Sequence, residues 1–316
     1  MPSFTVPEAA TPLRLDVFLT RTLPQGSRRT AQRVIAAGAV RINGHRARKG
    51  ATVVGGDIID FADDQLAPQA LQPNPQLVVP VLYEDEAVLA LDKPAGMPSH
   101  ALRADETETV ANFLLARYPD VAAVGKRPLE PGIVHRLDTE TSGVLLVART
   151  PAAYDALRQQ FTERRVLKEY RAVVHGDIAQ QGEIGTAIAH TRGHTRMRVC
   201  RTAKEPGRPA LTRYRPLERY GSYTLLAVEI PTGVMHQIRV HLASIGHPVA
   251  GDRLYGGTVA ADTPARHLLH AYRLGFTHPE SGRHIEISSP VPADLRALLK
   301  RLGDNRRSDN RLGEKA

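Results

Sequence analysis

Prolines at positions 68, 73, 75 and 80 constrain this chain more than any other feature, because each fixes φ and removes a backbone donor. Set among Gln, Asn and Leu, the stretch 68–80 reads as a semi-extended linker dividing the 316 residues into two folding units. The length agrees, since it exceeds the usual single domain and suits one large domain plus a smaller module. The expected plan is a tail at 1–12, a small module at 13–67, the linker, a large domain at 81–303 and a disordered polar tail at 304–316.

Charge separates the two units as sharply as proline does. Between Leu13 and Phe61, nine Arg and Lys residues face only Asp16, Asp57 and Asp60, a local charge of +6 that is most of the chain's +9. Such concentration favours a polyanion such as nucleic acid, the alternative being a solvated face that aids solubility. Ser27 can cap a helix running to Ala37, with Gly38 as its stop and Val34 and Ile35 facing inward. Arg28, Arg29 and Arg33 then share its exposed side. Val40-Arg41-Ile42 reads as a short strand entering an Asn43-Gly44 turn.

Cys200 is the only cysteine, so the chain can form no internal disulfide and lacks the ligands for a paired-cysteine zinc site or an iron-sulfur cluster. The N-terminus has no basic region followed by an apolar run, and no stretch reaches the length of a membrane span. We therefore expect a soluble, unprocessed, cytoplasmic monomer without membrane or DNA partners. His190 and His194 have helical metal-ligand spacing near Cys200, but Gly193 and the surrounding Arg192, Arg196, Arg198, Arg201 and Lys204 read better as an RNA-contacting loop. No metal and no cofactor is expected.

The large domain mixes its elements. Strand patterns occur at Val88 to Leu91, Ile133-Val134, Val144 to Val147, Lys168 to Val174 and Tyr223 to Ile230. Helix patterns occur at Val110 to Tyr118, after the Thr150-Pro151 start signal, at Met235, Ile238, Leu242 and Ile245 before Gly246, and at Leu295, Leu298, Leu299 and Leu302. Strands do not alternate regularly with helices, so the fold class is α+β with a mixed, largely antiparallel sheet, beside a small α/β module.

Between the strand patterns at 133–134 and 144–147 lies His135-Arg136-Leu137-Asp138-Thr139-Glu140-Thr141-Ser142-Gly143, a polar loop between apolar runs. Rigid flanks allow a reactive group to be fixed there, although an Asp between strands is ordinarily a turn residue. From Gly132 to Gly143 the sequence resembles the active-site motif of RluA-type pseudouridine synthases. The resemblance extends to Asp92-Lys93-Pro94-Ala95-Gly96, Lys168-Glu169-Tyr170-Arg171-Ala172, His236-Gln237-Ile238-Arg239-Val240-His241-Leu242, Gly246-His247-Pro248 and Gly251-Asp252, in order and spacing. In the small module, Arg14-Leu15-Asp16, Ser27-Arg28, Gly38-Ala39-Val40, Ile42-Asn43-Gly44 and Gly56-Asp57 resemble the S4-like RNA-binding domain. Together the likeness covers about residues 13 to 300.

The resemblance implies a cofactor-independent isomerase that turns uridine into pseudouridine in structured RNA, with Asp138 as its essential carboxylate. It implies that Tyr170 packs on the uracil and its hydroxyl assists proton removal at carbon five, and that Arg239 pairs with the aspartate. Arg136 would contact the RNA and help hold the target nucleotide out of the stack. His135 is read as structural, and Glu140 is not needed as an acid. In the S4-like module Arg14, Arg28, Arg29, Arg33, Arg41 and Lys49 are the candidate RNA contacts. Many family members carry Arg where Gly233-Val234-Met235 stands here, a change that spares catalysis but weakens the case for phosphate contacts there. Large-subunit ribosomal RNA is the favoured substrate, with transfer RNA second. A non-catalytic RNA-binding or ribosome-assembly protein and an N-glycosidase are the other classes, the last without a supporting motif.

Overall fold

The computed structural model describes residues 3–8, 11–22, 28–61, 70–191, 196–202, 204–256 and 266–313, and side chains as far as Asp304 except that of Arg29. Ser27, Arg192 and His194 lie outside the described residues. The chain separates into two compact units, Met1–Gln69 and Ala70–Ala316.

The first unit contains β1 (Ser3–Thr5), β2 (Leu13–Arg14), α1 (Leu15–Thr22), α2 (Arg28–Ala36), β3 (Val40–Ile42), β4 (His45–Arg46), β5 (Thr52–Val53) and β6 (Ile58–Phe61). Leu15, Phe18 and Leu19 of α1 and Ala31, Val34 and Ile35 of α2 recur at helical spacing, and they bury one core with Val40, Val53, Ile59 and Phe61. The Asn-Gly turn joins β3 to β4 as expected: Asn43 and Gly44 both take positive φ, 51° and 78°, the geometry of a two-residue hairpin. Gly38, at φ 74°, ends α2.

The second unit contains β7 (Val81–Glu84), β8 (Val88–Lys93), α3 (Val110–Arg117), β9 (Ser142–Ala148), α4 (Pro151–Thr162), β10 (Leu167–His175), β11 (Gly182–Ile184), β12 (Ile188–His190), β13 (Met197–Val199), β14 (Thr212–Arg219), β15 (Tyr223–Glu229), α5 (Gln237–Ser244), β16 (Leu269–Thr277), β17 (His284–Ser288) and α6 (Ala293–Gly313). Among the described residues, nine strands form one sheet in the order β11-β14-β15-β10-β16-β9-β8-β7, with β17 pairing the far half of β16. Every pairing in it is antiparallel except β9 with β16. The mixed α+β class is therefore the observed one.

Alternation along the central strands explains why the sheet is covered on both faces. Leu89 and Leu91 of β8 and Leu145 and Val147 of β9 join a core with α3, Tyr170, Ile238 and Leu242. Val88, Ala90, Val144, Leu146 and Ala148 point the other way, onto Ala153, Tyr154 and Leu157 of α4. Thr150 caps α4 by accepting from Ala153 N–H at 3.1 Å, with Pro151 as first residue.

Three expectations change. The stretch 70–80 is not a free linker: Leu71 and Val79 are buried in the core of the second unit, Asn74 N–H donates to Asn112 O at 3.1 Å and Asn112 Nδ2 donates to Gln72 O at 2.6 Å. Prolines exclude regular structure there but leave side chains free to pack. Ile133-Val134 is no strand, only a single bridge from Ile133 to Val147, because Gly132 at φ 66° turns the chain against Ala148 O. Finally, α6 runs past Asp304 to Gly313, a segment without proline, where a disordered tail was expected.

Gly143 sits where β9 meets β16 with φ 112°, and a Cβ there would lie 2.2 Å from Ala271 O. Gly143→Ala should therefore destabilise the second unit by about 3 kcal/mol, read as a lower urea midpoint. An unchanged midpoint would contradict this packing.

Candidate active site

The loop that precedes β9 is pinned at nearly every residue. Ser99 Oγ donates to Leu137 O and accepts from Leu137 N–H, both at 3.1 Å. Thr139 O accepts from Gly96 N–H at 2.9 Å and from Lys93 Nζ at 3.0 Å. Glu140 O accepts from Arg266 Nη1 at 2.9 Å, and Thr141 Oγ1 and Ser142 Oγ bond His267 Nε2 and His270 Nδ1 at 2.9 and 3.0 Å. Asp138 thus projects into a cleft from an immobilised backbone.

Its carboxylate meets Arg239 of α5. Arg239 Nη1 donates to Asp138 Oδ2 at 2.9 Å, while Nε and Nη2 make a bidentate pair with Asp252 at 2.7 and 2.9 Å. Arg239 is buried and the Asp252 side chain is fully so, whereas Asp138 is a quarter exposed. Burial pulls the Arg239 pKa down, but the two carboxylates outweigh it and hold the guanidinium charged. Among the described residues no group donates to Asp138 Oδ1, so one oxygen is anchored and the other faces the cleft.

Register places the aromatic partner. Gly143 of β9, Ala271 of β16 and Tyr170 of β10 stand side by side, so Tyr170 lies two strands from the loop, about 10 Å across the sheet. Tyr170 is buried, and burial together with the charge of Asp138 pushes its pKa well up, so its phenol is neutral. Asp138, Tyr170 and Arg239 all line one cleft of about 1080 Å³, floored by Ile133, Leu137, Ile230 and Leu269. Lys126, Arg127, Arg136, Arg158, Arg164 and Arg208 also line it, a positive surround for a polyanion. Arg136 is exposed on that wall.

His135 also lines the cleft, but its ring is engaged by the fold, stacked on Phe161 at 4.8 Å and accepting from Leu146 N–H through Nε2. Burial, with Lys168 and Arg158 nearby, pushes it down to about 3, so it stays neutral. Val234 is buried with Ile188, Met197, Val240 and Tyr255, so at this position the chain has an apolar anchor for β12 and β13. His190 lies in β12, not on a helix, and among the described residues no three His, Cys, Asp or Glu side chains gather to hold a metal. Arg198 is paired with Glu205.

In the first unit the six candidate contacts differ. Arg14 and Arg28 both bond the buried Asp16, at 2.9 and 3.2 Å, so part of their charge is committed inside the module. Arg33, Arg41 and Lys49 are exposed, Arg41 with a 3.3 Å bond to Gly44 O, and the side chain of Arg29 is outside the described residues.

Sequence reasoning missed several supports. Lys93 is fully buried with its amine donating to the carbonyls of Pro94, Met97 and Thr139 at 2.8, 2.7 and 3.0 Å, while burial lowers its pKa to about 7 against the charges of Glu140 and Asp138. Three acceptors suit an ammonium with three donors. Arg266 clamps Asp294 of α6 at 2.6 and 2.9 Å and so ties that helix to the loop. The motif contained Lys93 and Asp252 as letters, but only contact gives them these roles.

Comparison with known proteins gives the class. Residues 87–244 match the family model described as RNA pseudouridylate synthase, and residues 13–59 match the S4 domain. The chain belongs to the RNA pseudouridylate synthase family, isomerases that convert uridine in RNA to pseudouridine, and it carries an S4 domain. It is 39% identical over 95% of its length to the "Ribosomal large subunit pseudouridine synthase D" of Xanthomonas campestris, covering 92% of that protein. It is 41% identical over 95% of its length to an "Uncharacterized RNA pseudouridine synthase" of Chloroflexus aurantiacus, covering 93% of it. The solved structure of "Human RNA Pseudouridylate Synthase Domain Containing 1" matches with TM-score 0.55 and 28% identity, over 73% of this chain and 97% of that one. Among the described residues no helix is long and apolar enough to cross a membrane.

Asp252 provides a test of the clamp. Burial pushes its pKa up, but the hydrogen bonds and charge of Arg239 pull it further down, below the ordinary carboxylate value. A depressed carboxylate stabilises the fold fully above about pH 4 and loses that contribution as pH falls through its folded pKa. Asp252→Ala should cost about 3 kcal/mol near neutrality. Below about pH 4 the wild type should lose stability faster than Asp252→Asn, and parallel acid limbs in urea titrations would exclude the clamp.

Proposed function

We propose that Asp138 is the essential carboxylate of this isomerase, that Tyr170 and Arg239 complete its site, and that its substrate is large-subunit ribosomal RNA. The observation that carries the reading is the anchoring of Asp138 Oδ2 by a buried guanidinium that Asp252 holds in turn. A target uridine has to leave its stack to reach the cleft floor. Arg136, exposed on the cleft wall, is suited to hold the RNA from which it leaves.

The reaction breaks the bond from the anomeric carbon to N1 and forms one to carbon five; the proton on carbon five is lost and N1 gains one. A carboxylate stabilises positive charge developing at the anomeric carbon, or bonds to it reversibly. Arg239 orients that carboxylate through the 2.9 Å bond to Oδ2. The neutral phenol of Tyr170 offers a flat face to the uracil and an O–H donor.

The choice of RNA rests on the name of the Xanthomonas campestris relative, together with an S4 domain whose exposed Arg33, Arg41 and Lys49 suit phosphate contacts.

Asp138→Asn should abolish pseudouridine formation, mapped chemically on ribosomal RNA, while RNA affinity changes less than about threefold. Retained activity would overturn the assignment of Asp138. Comparing total RNA from cells with and without the gene should show pseudouridines lost from large-subunit ribosomal RNA; loss from transfer RNA instead would overturn the substrate. Arg33→Ala and Lys49→Ala should each reduce the slope of log affinity against log salt by about 1. Unchanged slopes would remove those side chains from the interface.

A further inference from the structure

His236 stands immediately before α5 in the left-handed conformation, φ 55° and ψ 19°, and its side chain caps nothing in the helix. A non-glycine residue held there costs on the order of 1 kcal/mol or more, and such strain persists where surrounding structure enforces it. The imidazole lines the same cleft as Asp138. Its Nε2 lies 3.9 Å from Asp138 Oδ2, and its Nδ1 lies 2.9 Å from Tyr255 Oη.

Donors and acceptors around Tyr255 decide which ring nitrogen carries the proton. Met197 N–H donates to Tyr255 Oη at 2.9 Å, so that oxygen already accepts, and its own proton has His236 Nδ1 in reach. Burial raises the pKa of Tyr255 and lowers that of His236, so near neutral pH the phenol keeps its proton and the ring has one N–H. With Nδ1 accepting, that N–H is on Nε2, the side facing Asp138. The guanidinium carbons of Arg239 and Arg196 lie 5.2 and 5.4 Å from the Tyr255 ring centroid and hold the phenol in place.

We propose that His236 reads the sugar of the target nucleotide, donating from Nε2–H to the 2′-hydroxyl oxygen and so selecting ribose over deoxyribose. At 3.9 Å the N–H is too far for a hydrogen bond to Asp138 itself. It is well placed for an oxygen on the carbon next to the one the carboxylate addresses, and C2′ is bonded to the anomeric carbon. Phosphate contacts cannot supply this discrimination, because RNA and DNA share the phosphate and differ at the 2′-hydroxyl. The inference rests on Asp138 being the carboxylate that engages the anomeric carbon.

The test uses the full chain with Asp138→Asn, to prevent turnover, and two RNAs that differ only in ribose or 2′-deoxyribose at the mapped target. With His236 present the deoxy substitution should cost about fivefold to tenfold in Kd, and in the additional His236→Ala variant less than about twofold. Equal costs in both proteins overturn the proposal. Nitrogen-15 NMR of the wild-type chain needs no variant: His236 should be neutral with the proton on Nε2 at pH 7, and an Nδ1–H tautomer overturns the proposal independently. If Asp138→Asn still forms pseudouridine, the reading of Asp138 fails. If that variant is inactive but the Kd costs are equal, only the role of His236 fails.

Discussion

One buried guanidinium organises this site. Arg239 lies between Asp138 and Asp252, two carboxylates on one cation, with the Asp252 side chain fully enclosed and Asp138 open to the cleft. Taking such charges out of water costs several kcal/mol per ion, which close geometry and complete hydrogen bonding offset. Asp252 accepts two bonds from Arg239 and also the N–H groups of Leu254 and Tyr255. The inner half of the triad is therefore satisfied by protein alone, and the outer carboxylate keeps one oxygen to which no group among the described residues donates.

The fold brings these charges together from distant positions in the chain. Asp138 arrives on a loop before β9, Arg239 on a helix whose Ile238 and Leu242 belong to the core, and Tyr170 on a strand whose register is set by Ala271. A parallel pairing, β9 with β16, fixes the loop against the start of β16, and Gly143 allows the strands to approach closely enough. Backbone groups of Leu137, Thr139 and Glu140 are each held by side chains from elsewhere, which limits motion of the residue between them. Pre-organisation of this kind lets a carboxylate meet developing charge without reorganising. His236 extends the same network outward, through Tyr255, into the cleft.

Much of this was legible because local chemistry and tertiary environment agreed. Asn43-Gly44 made a hairpin, Thr150-Pro151 started a helix, and Gly38 stopped one, since positive φ, missing donors and capping oxygens act over a few residues. Where tertiary packing competes with a local signal, reading failed. Prolines marked 68–80 as a linker, yet Leu71 and Val79 found a core to enter; Ile133-Val134 had strand composition, yet Gly132 bent the backbone away from a ladder.

Legible in the letters alone were the order and spacing of the motifs that carry the family likeness, the concentration of positive charge in a small N-terminal module, and the mixed sheet. The charge and the sheet follow from residue type and periodicity, which are properties of short windows, whereas the motifs speak only through their likeness to a family. That Asp252 clamps Arg239, that Lys93 and Arg266 hold the loop's carbonyls, that Val234 is an anchor, and which nitrogen of His236 faces the cleft depend on contacts made in the folded chain. The reason is physical. Burial and hydrogen-bond geometry are relations between residues far apart in the chain, and the same letters in the same order carry no value for them until the sheet has set the distances.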